Sequence, residues 1–179
     1  MGFFDFFKCK KCKKNAAKAG HTDTIKPEVR PVGQLNPVDA DSDDRYTPNY
    51  VNALKENEVF VFGSNLQGMH GGGAARDAFK RFGAKWGKGV GHYGQSYAIP
   101  TMQGGVDTVR PYVDDFTEYV KEHPELIFLV TRIGCGIAGF TDDEIAPLFA
   151  EAAKLPNVKI PKSFAKVLEK LSSVDQNNE

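Results

Sequence analysis

The sequence predicts an α/β domain built on a mostly parallel sheet covered by helices, and three observations carry that expectation. Short β-branched and aromatic runs alternate with segments of helical period from Val59 onward. One run, Leu126 to Val130 (LIFLV), is apolar at every position, as suits a strand buried on both faces. Glycines gather directly after strand-like runs. Twelve of the 18 lie between Gly63 and Gly105 and three more in GCGIAG, Gly134 to Gly139, where loops beyond the carboxyl ends of parallel strands are expected.

Taken in order, Val59 to Phe62 (VFVF) reads as a strand, and Ala74 to Phe82 as a helix with Ala75, Ala78, Phe79 and Phe82 on one face. Ser96 to Ile99 reads as a strand. Val109 to Lys121 reads as a helix with Val113, Phe116 and Val120 inward, its Pro111 tolerated in the first turn. Thr141 and Glu144 have capping-box spacing, with Phe140 and Ile145 placed as a hydrophobic staple, and Pro147 implies a kink before a main helix. Asn157 to Ile160 is a short last strand, and a final helix starts at Ser163.

At 179 residues and 41% hydrophobic content, the chain can bury one good core. Composition divides it into an N-terminal tail over residues 1–45, a domain over 46–171 and a polar C-terminal tail over 172–179. Lys+Arg and Asp+Glu are equal at 23 each, so no partner is expected through overall charge and nucleic acid is not expected. With three cysteines, no secretory segment and no membrane-length apolar run, a cytoplasmic protein is expected. Asp39, Asp41 and Asp43 imitate the start of a calcium loop, but Asp44 and Tyr50 stand where Gly and Glu are needed, so no metal is expected there.

Function is sought in the two glycine concentrations. A glycine-rich loop that opens a helix offers unobstructed backbone N–H groups and the positive end of a helix dipole, which suits phosphate. Two such loops side by side suit a diphosphate; tight turns are the plain alternative. No Gly-Lys-Ser/Thr follows either loop, and neither is a GxGxxG with an acidic residue about 20 positions on, which disfavours P-loop hydrolysis and Rossmann-type hydride transfer.

The motifs FVFGSN, HGGGAA, GQSYAIPT and TRIGCGIAGF resemble those of a group of small bacterial and phage-encoded proteins over residues 47–165, and more distantly those of the macro domain, the ADP-ribose-binding module. The resemblance implies a three-layer macro-domain-like fold. It matches Asn65, after Gly63 and Ser64, with Gly71, Gly72 and Gly73 to a first loop that holds the distal ribose. It matches Gly134, Cys135, Gly136, Ile137, Ala138 and Gly139 to a second loop that wraps the diphosphate. The implied ligand is ADP-ribose or another NAD-derived nucleotide, with no further cofactor. Three departures stand out: Phe62 replaces a second Asn, the Gly-Asp-Ile-Thr segment that reads adenine has no counterpart, and Ala138 replaces a capping aromatic for which Phe140 is the nearby substitute.

For catalysis the candidates are Asn65, to position a ribose or a water, and His70, as general acid/base or phosphate donor. Cys135 has no His or Asp near it in sequence to activate a thiol, and His92 and Gln95 are candidates to line the cleft or to fill a turn. Phe3, Phe4, Phe6 and Phe7 beside six lysines between Lys8 and Lys18 would suit weak contact of residues 1–18 with an anionic membrane surface. Cys9, Cys12 and His21 supply at most three zinc ligands, and a disordered tail is favoured over both. Nucleotide binding is the first reading, ADP-ribosyl hydrolysis the second, and a non-enzymatic phage-associated or structural interaction protein the alternative. If the tail is dispensable, a chain truncated to start near Thr47 melts cooperatively at nearly the full-length temperature; a fall of many degrees in a calorimetric scan would contradict this.

Overall fold

The computed structural model describes residues 43–175. The expectations for the Phe/Lys-rich segment, for Cys9, Cys12 and His21, and for most of the acidic run lie outside the described residues. Within them the order is β1 (Glu58–Ser64), α1 (Gly73–Arg81), β2 (Gly91–Tyr93), β3 (Ser96–Pro100), α2 (Arg110–Glu122), β4 (Ile127–Val130), α3 (Asp142–Ile145), β5 (Val158–Lys159) and α4 (Lys162–Asp175). They form one five-stranded sheet in the order β2-β3-β1-β4-β5, parallel except for the antiparallel edge strand β2. The α/β class and the mostly parallel, helix-flanked sheet are as expected.

Alternation along β1 distributes the core. Phe60 and Phe62 face α1, where they pack with Ala75, Ala78 and Phe82. Val59 and Val61 face the other side, with Val113, Phe116 and Val120 of α2 and Phe149 and Phe164 beyond them. Side chains of a strand point to opposite faces in turn, so a strand buried on both must be apolar throughout. The same reasoning holds for Phe128, Leu129 and Val130 of β4, all buried.

The inward stripe of α2 is as the spacing predicts: Val113, Phe116 and Val120 are all fully buried, and Pro111 sits in the first turn, where its missing N–H has no carbonyl to lose. At the far end of α2, Asn157 donates its side-chain amide to the carbonyls of Val120, His123 and Leu126, tying the chain before β5 to the end of α2 and to the turn that leads into β4.

Three differences have physical reasons. Phe79, expected inward, is 42% exposed; the small Ala75 and Ala78 let α1 lie close to Phe60 and Phe62, and the stripe through 75, 78 and 82 leaves Phe79 at its edge. The strand β2 is three residues long and glycine-flanked, too short to show a period. Instead of a main helix after Pro147, the chain makes tight turns at Ala146–Phe149 and Ala152–Lys154, with Ala146, Phe149 and Ala152 still buried. Helix α4 follows, from Lys162 to Asp175.

Phe116 holds together the layer between the sheet and α2. Its ring lies 5.1 Å from Tyr97, 5.6 Å from Phe128 and 6.2 Å from Phe149, joining β3, β4 and the turn after α3. Phe116→Ala is expected to cost about 3–5 kcal/mol, read as a lower midpoint in urea with an unchanged slope.

Candidate functional site

The three central strands are parallel, so the loops after β1, β3 and β4 leave the sheet at the same edge. Between them is an open cleft of about 220 Å³. The first loop gives it Gly63, Ser64, Asn65, Gly72 and Gly73, and the second gives Gly134, Gly136, Ile137 and Ala138. Most of the residues singled out in the sequence are thereby brought together.

Close approach explains several of the glycines. A side-chain carbon on Gly63 would sit 3.3 Å from Thr101 Oγ1 and 3.5 Å from the Gly134 nitrogen, so the ends of β1, β3 and β4 meet at the cleft floor. Gly134 has φ of +77° and would push a Cβ to 3.0 Å from Phe140 and 3.3 Å from Ile145. Across the cleft, a Cβ on Gly72 would meet the Ile137 side chain at 3.3 Å, although Ile137 is 79% exposed. The two loops therefore nearly touch over the opening.

Backbone donors are plentiful on both sides. Helix α1 begins at Gly73 with Gly72 as N-cap and no side-chain cap, and its first internal bond is Arg76 N–H to Gly72 O at 3.1 Å. The N–H groups of the first turn are therefore left for another acceptor. On the second loop, Cys135, Gly139 and Phe140 donate to Arg132, Gly136 and Gly134, whereas the N–H groups of Gly136, Ile137 and Ala138 have no acceptor among the described residues. This is an arrangement for an anion.

Five expected site residues do not line the cleft. His70 is 1% exposed and turned into an aromatic nest, 5.3 Å from the Phe62 ring, with Nε2 3.1 Å from both the Lys85 and the Lys88 carbonyl. Two carbonyl acceptors require Nε2 to carry the hydrogen, so the ring is a brace rather than an acid/base in the cleft. Gly71 is exposed beside it, and Gly139 closes a turn with φ of +80°. Phe140 packs on the core as the staple with Ile145 instead of capping the loop, while Thr141 donates N–H and Oγ1–H to Glu144 Oε2 at 2.8 and 2.9 Å. Cys135 lies with Sγ 3.3 Å from Asp142 Oδ1; burial first, then that hydrogen bond, pushes its pKa up to about 12.

Asn65 does line the cleft, but its amide is engaged at both ends: Nδ2 donates to Met69 O and Oδ1 accepts from Met69 N–H, each at 3.0 Å. It shapes the loop. His92 and Gln95 are elsewhere, the first accepting from or donating to Tyr119 Oη at 2.6 Å and the second donating to Lys55 and Glu58 carbonyls.

Arg132, Thr131 and Thr101, which stand inside the motifs TRIGCGIAGF and GQSYAIPT but were not singled out there as site residues, and Met102, which follows the second, also line the cleft. The available signal was their position immediately after strand-like runs, in SYAIPT and LIFLVTR. Arg132 is held by Asp142 in a two-pronged contact, Nε to Oδ1 at 3.0 Å and Nη2 to Oδ2 at 2.9 Å. Burial alone would raise the Asp142 carboxyl; hydrogen bonds from Arg132 and Cys135 outweigh it and hold the pKa below its ordinary value. A second cavity of about 80 Å³ shares Thr131 and Arg132 and extends to Thr47, Asn49 and Pro161.

Comparisons with family models, with curated proteins and with solved structures give no match.

Burial first, and then the Asp142 contact, disfavour the Cys135 thiolate. Asp142→Asn is expected to speed iodoacetamide labelling of Cys135 at pH 8, followed by mass spectrometry of its peptide, because the replacement removes the negative charge that disfavours the thiolate.

Proposed function

We propose that the cleft binds ADP-ribose or a related NAD-derived nucleotide through its diphosphate. The observation that carries this reading is the pairing of two unsatisfied N–H rows, the uncapped start of α1 and Gly136 to Ala138, on the walls of one cleft beside Arg132. Backbone donors and a helix N-terminus favour phosphate oxygens, and a guanidinium fixed by a carboxylate adds charge at a set position. The exposed side chains of Met69, Met102 and Ile137 at the cleft give an apolar rim for a sugar or base edge. The smaller cavity beyond Thr131 and Arg132 leaves room for a ligand longer than a diphosphate.

Binding without turnover is favoured over hydrolysis. Among the described residues that line the cleft there is no carboxylate and no imidazole. The Asn65 amide is tied to Met69, and the His70 ring is buried against the loop after α1 and does not line the cleft. An attacking water would thus lack a general base from these residues, whereas anion binding needs none.

Thermal-shift titration with ADP-ribose, NAD, cyclic ADP-ribose isomers and simple nucleotides tests the reading. A ligand at a hundred times its dissociation constant should stabilise the fold by roughly 2.7 kcal/mol. Gly136→Val is the matching variant: a Cβ there meets nothing within 4 Å and φ is not left-handed, so the fold should keep its native far-UV spectrum. The branched side chain would occupy the space where phosphate approaches, and affinity is expected to fall at least tenfold. No shift with any diphosphate ligand would refute the proposal, and an unchanged affinity in the folded variant would remove the second loop from the site.

A further inference from the structure

The outer side of α1 and the loop after it, Arg76 to Lys88, concentrate charge that the whole chain conceals. Arg76, Lys80, Arg81, Lys85 and Lys88 are all exposed there, against Asp77 as the sole acid of the stretch. Elsewhere Lys55, Lys121, Arg132, Lys154 and Lys159 have carboxylate partners, but none of these five does among the described residues. Arg81 is occupied in another way, donating to Asn52 O with its guanidinium 4.8 Å from the Phe82 ring centre. Lys85 has its Nζ 5.8 Å from the Tyr93 ring centre, and Arg76, Lys80 and Lys88 are available to an outside anion.

Two exposed aromatic rings stand among these cations. Phe79 is 42% exposed and Trp86 56%, with ring centres 5.7 Å apart and planes at 65°. Arg76, Phe79 and Lys80 fall three and four residues apart on α1, hence on one stripe. The ring of Trp86 is backed by the buried His70, 6.5 Å away, whose Nε2–H holds the carbonyls of both Lys85 and Lys88. Gly87 N–H donates to Gly68 O at 3.0 Å, and a Cβ on Gly89 would lie 1.9 Å from Asn65 O. The loop is therefore pressed against its neighbour with no space between, and Trp86 is presented on a fixed support.

We propose that this face binds single-stranded nucleic acid. Alternating cations and fixed aromatic rings match a polymer that offers phosphates along one side and uncovered base faces along the other. A duplex covers its base faces by stacking, so it would use the cations and leave Phe79 and Trp86 without a role. An anionic membrane is a poorer partner, because the apolar stripe of α1, Ala75, Ala78 and Phe82, is already packed on the sheet and no helix face remains to enter a headgroup layer. The balanced overall charge, which argues against nucleic acid for the molecule as a whole, does not bear on a face where the signs are separated.

Trp86 is the chain's only tryptophan, so its fluorescence reports on this face alone. In the full-length protein at low salt, an unlabelled oligothymidylate is expected to quench Trp86 emission saturably, with affinity falling as salt rises. Lys80 and Lys88 are both exposed and have no carboxylate partner among the described residues. Lys80→Glu combined with Lys88→Glu should weaken binding tenfold or more and reduce the salt slope by roughly 1.4, about 0.7 for each phosphate no longer neutralised. Trp86→Ala should weaken binding of a labelled oligothymidylate about tenfold by anisotropy. The proposal is overturned if the oligonucleotide leaves Trp86 emission unchanged, if the double lysine variant binds as wild type, if duplex DNA binds as tightly as the single strand, or if phosphatidylserine vesicles shift the emission and the oligonucleotide does not.

Discussion

The architecture depends on β1 being paired in parallel on both sides and buried on both faces. Its registers with β3 and with β4 align the carboxyl ends of three strands, Ser64 beside Pro100 and Val61 beside Val130. Parallel pairing leaves no tight hairpin between them, so each strand must exit into a loop and a crossover. The three exits converge on Gly63, Thr101 and Gly134, and the cleft exists because those exits meet.

Convergence at such short range restricts side chains more than any single contact does. At Gly63, Gly72 and Gly134 a Cβ would come within 3.0–3.3 Å of atoms from another loop or element. By contrast, Gly136 has open space around it, so packing does not require its lack of a side chain. The Arg132–Asp142 pair adds orientation more than stability, since the arginine side chain is 54% exposed and solvent screens most of its Coulomb energy.

The loop after α1 shows how one buried polar residue can set two surfaces. His70 ties Lys85 and Lys88 to the first glycine loop, so the wall of the cleft and the support of Trp86 are one packed unit. Its Nδ1 is buried without a partner among the described residues, a cost that the bifurcated bond from Nε2 and the ring contacts with Phe62 and Trp86 must offset.

Local pattern alone determined the α/β class, the inward stripe Val113, Phe116 and Val120, the doubly buried β4 and the place of both glycine loops, because periodicity and backbone permissiveness are properties of neighbouring residues. Only the tertiary structure decided where polar side chains point. Asn65 and His70 lie in the first loop as expected, yet one folds back on Met69 and the other turns into the aromatic nest, since each finds carbonyl or N–H partners there that a polar group near the core must have. Arg132 enters the cleft because Asp142, ten positions away, orients it. Phe79 is exposed because two alanines bring α1 close to the sheet. Those outcomes are set by particular partners in space, four positions away for Asn65, ten for Arg132 and fifteen and eighteen for His70, and such pairings leave no periodic trace in the segments that make them.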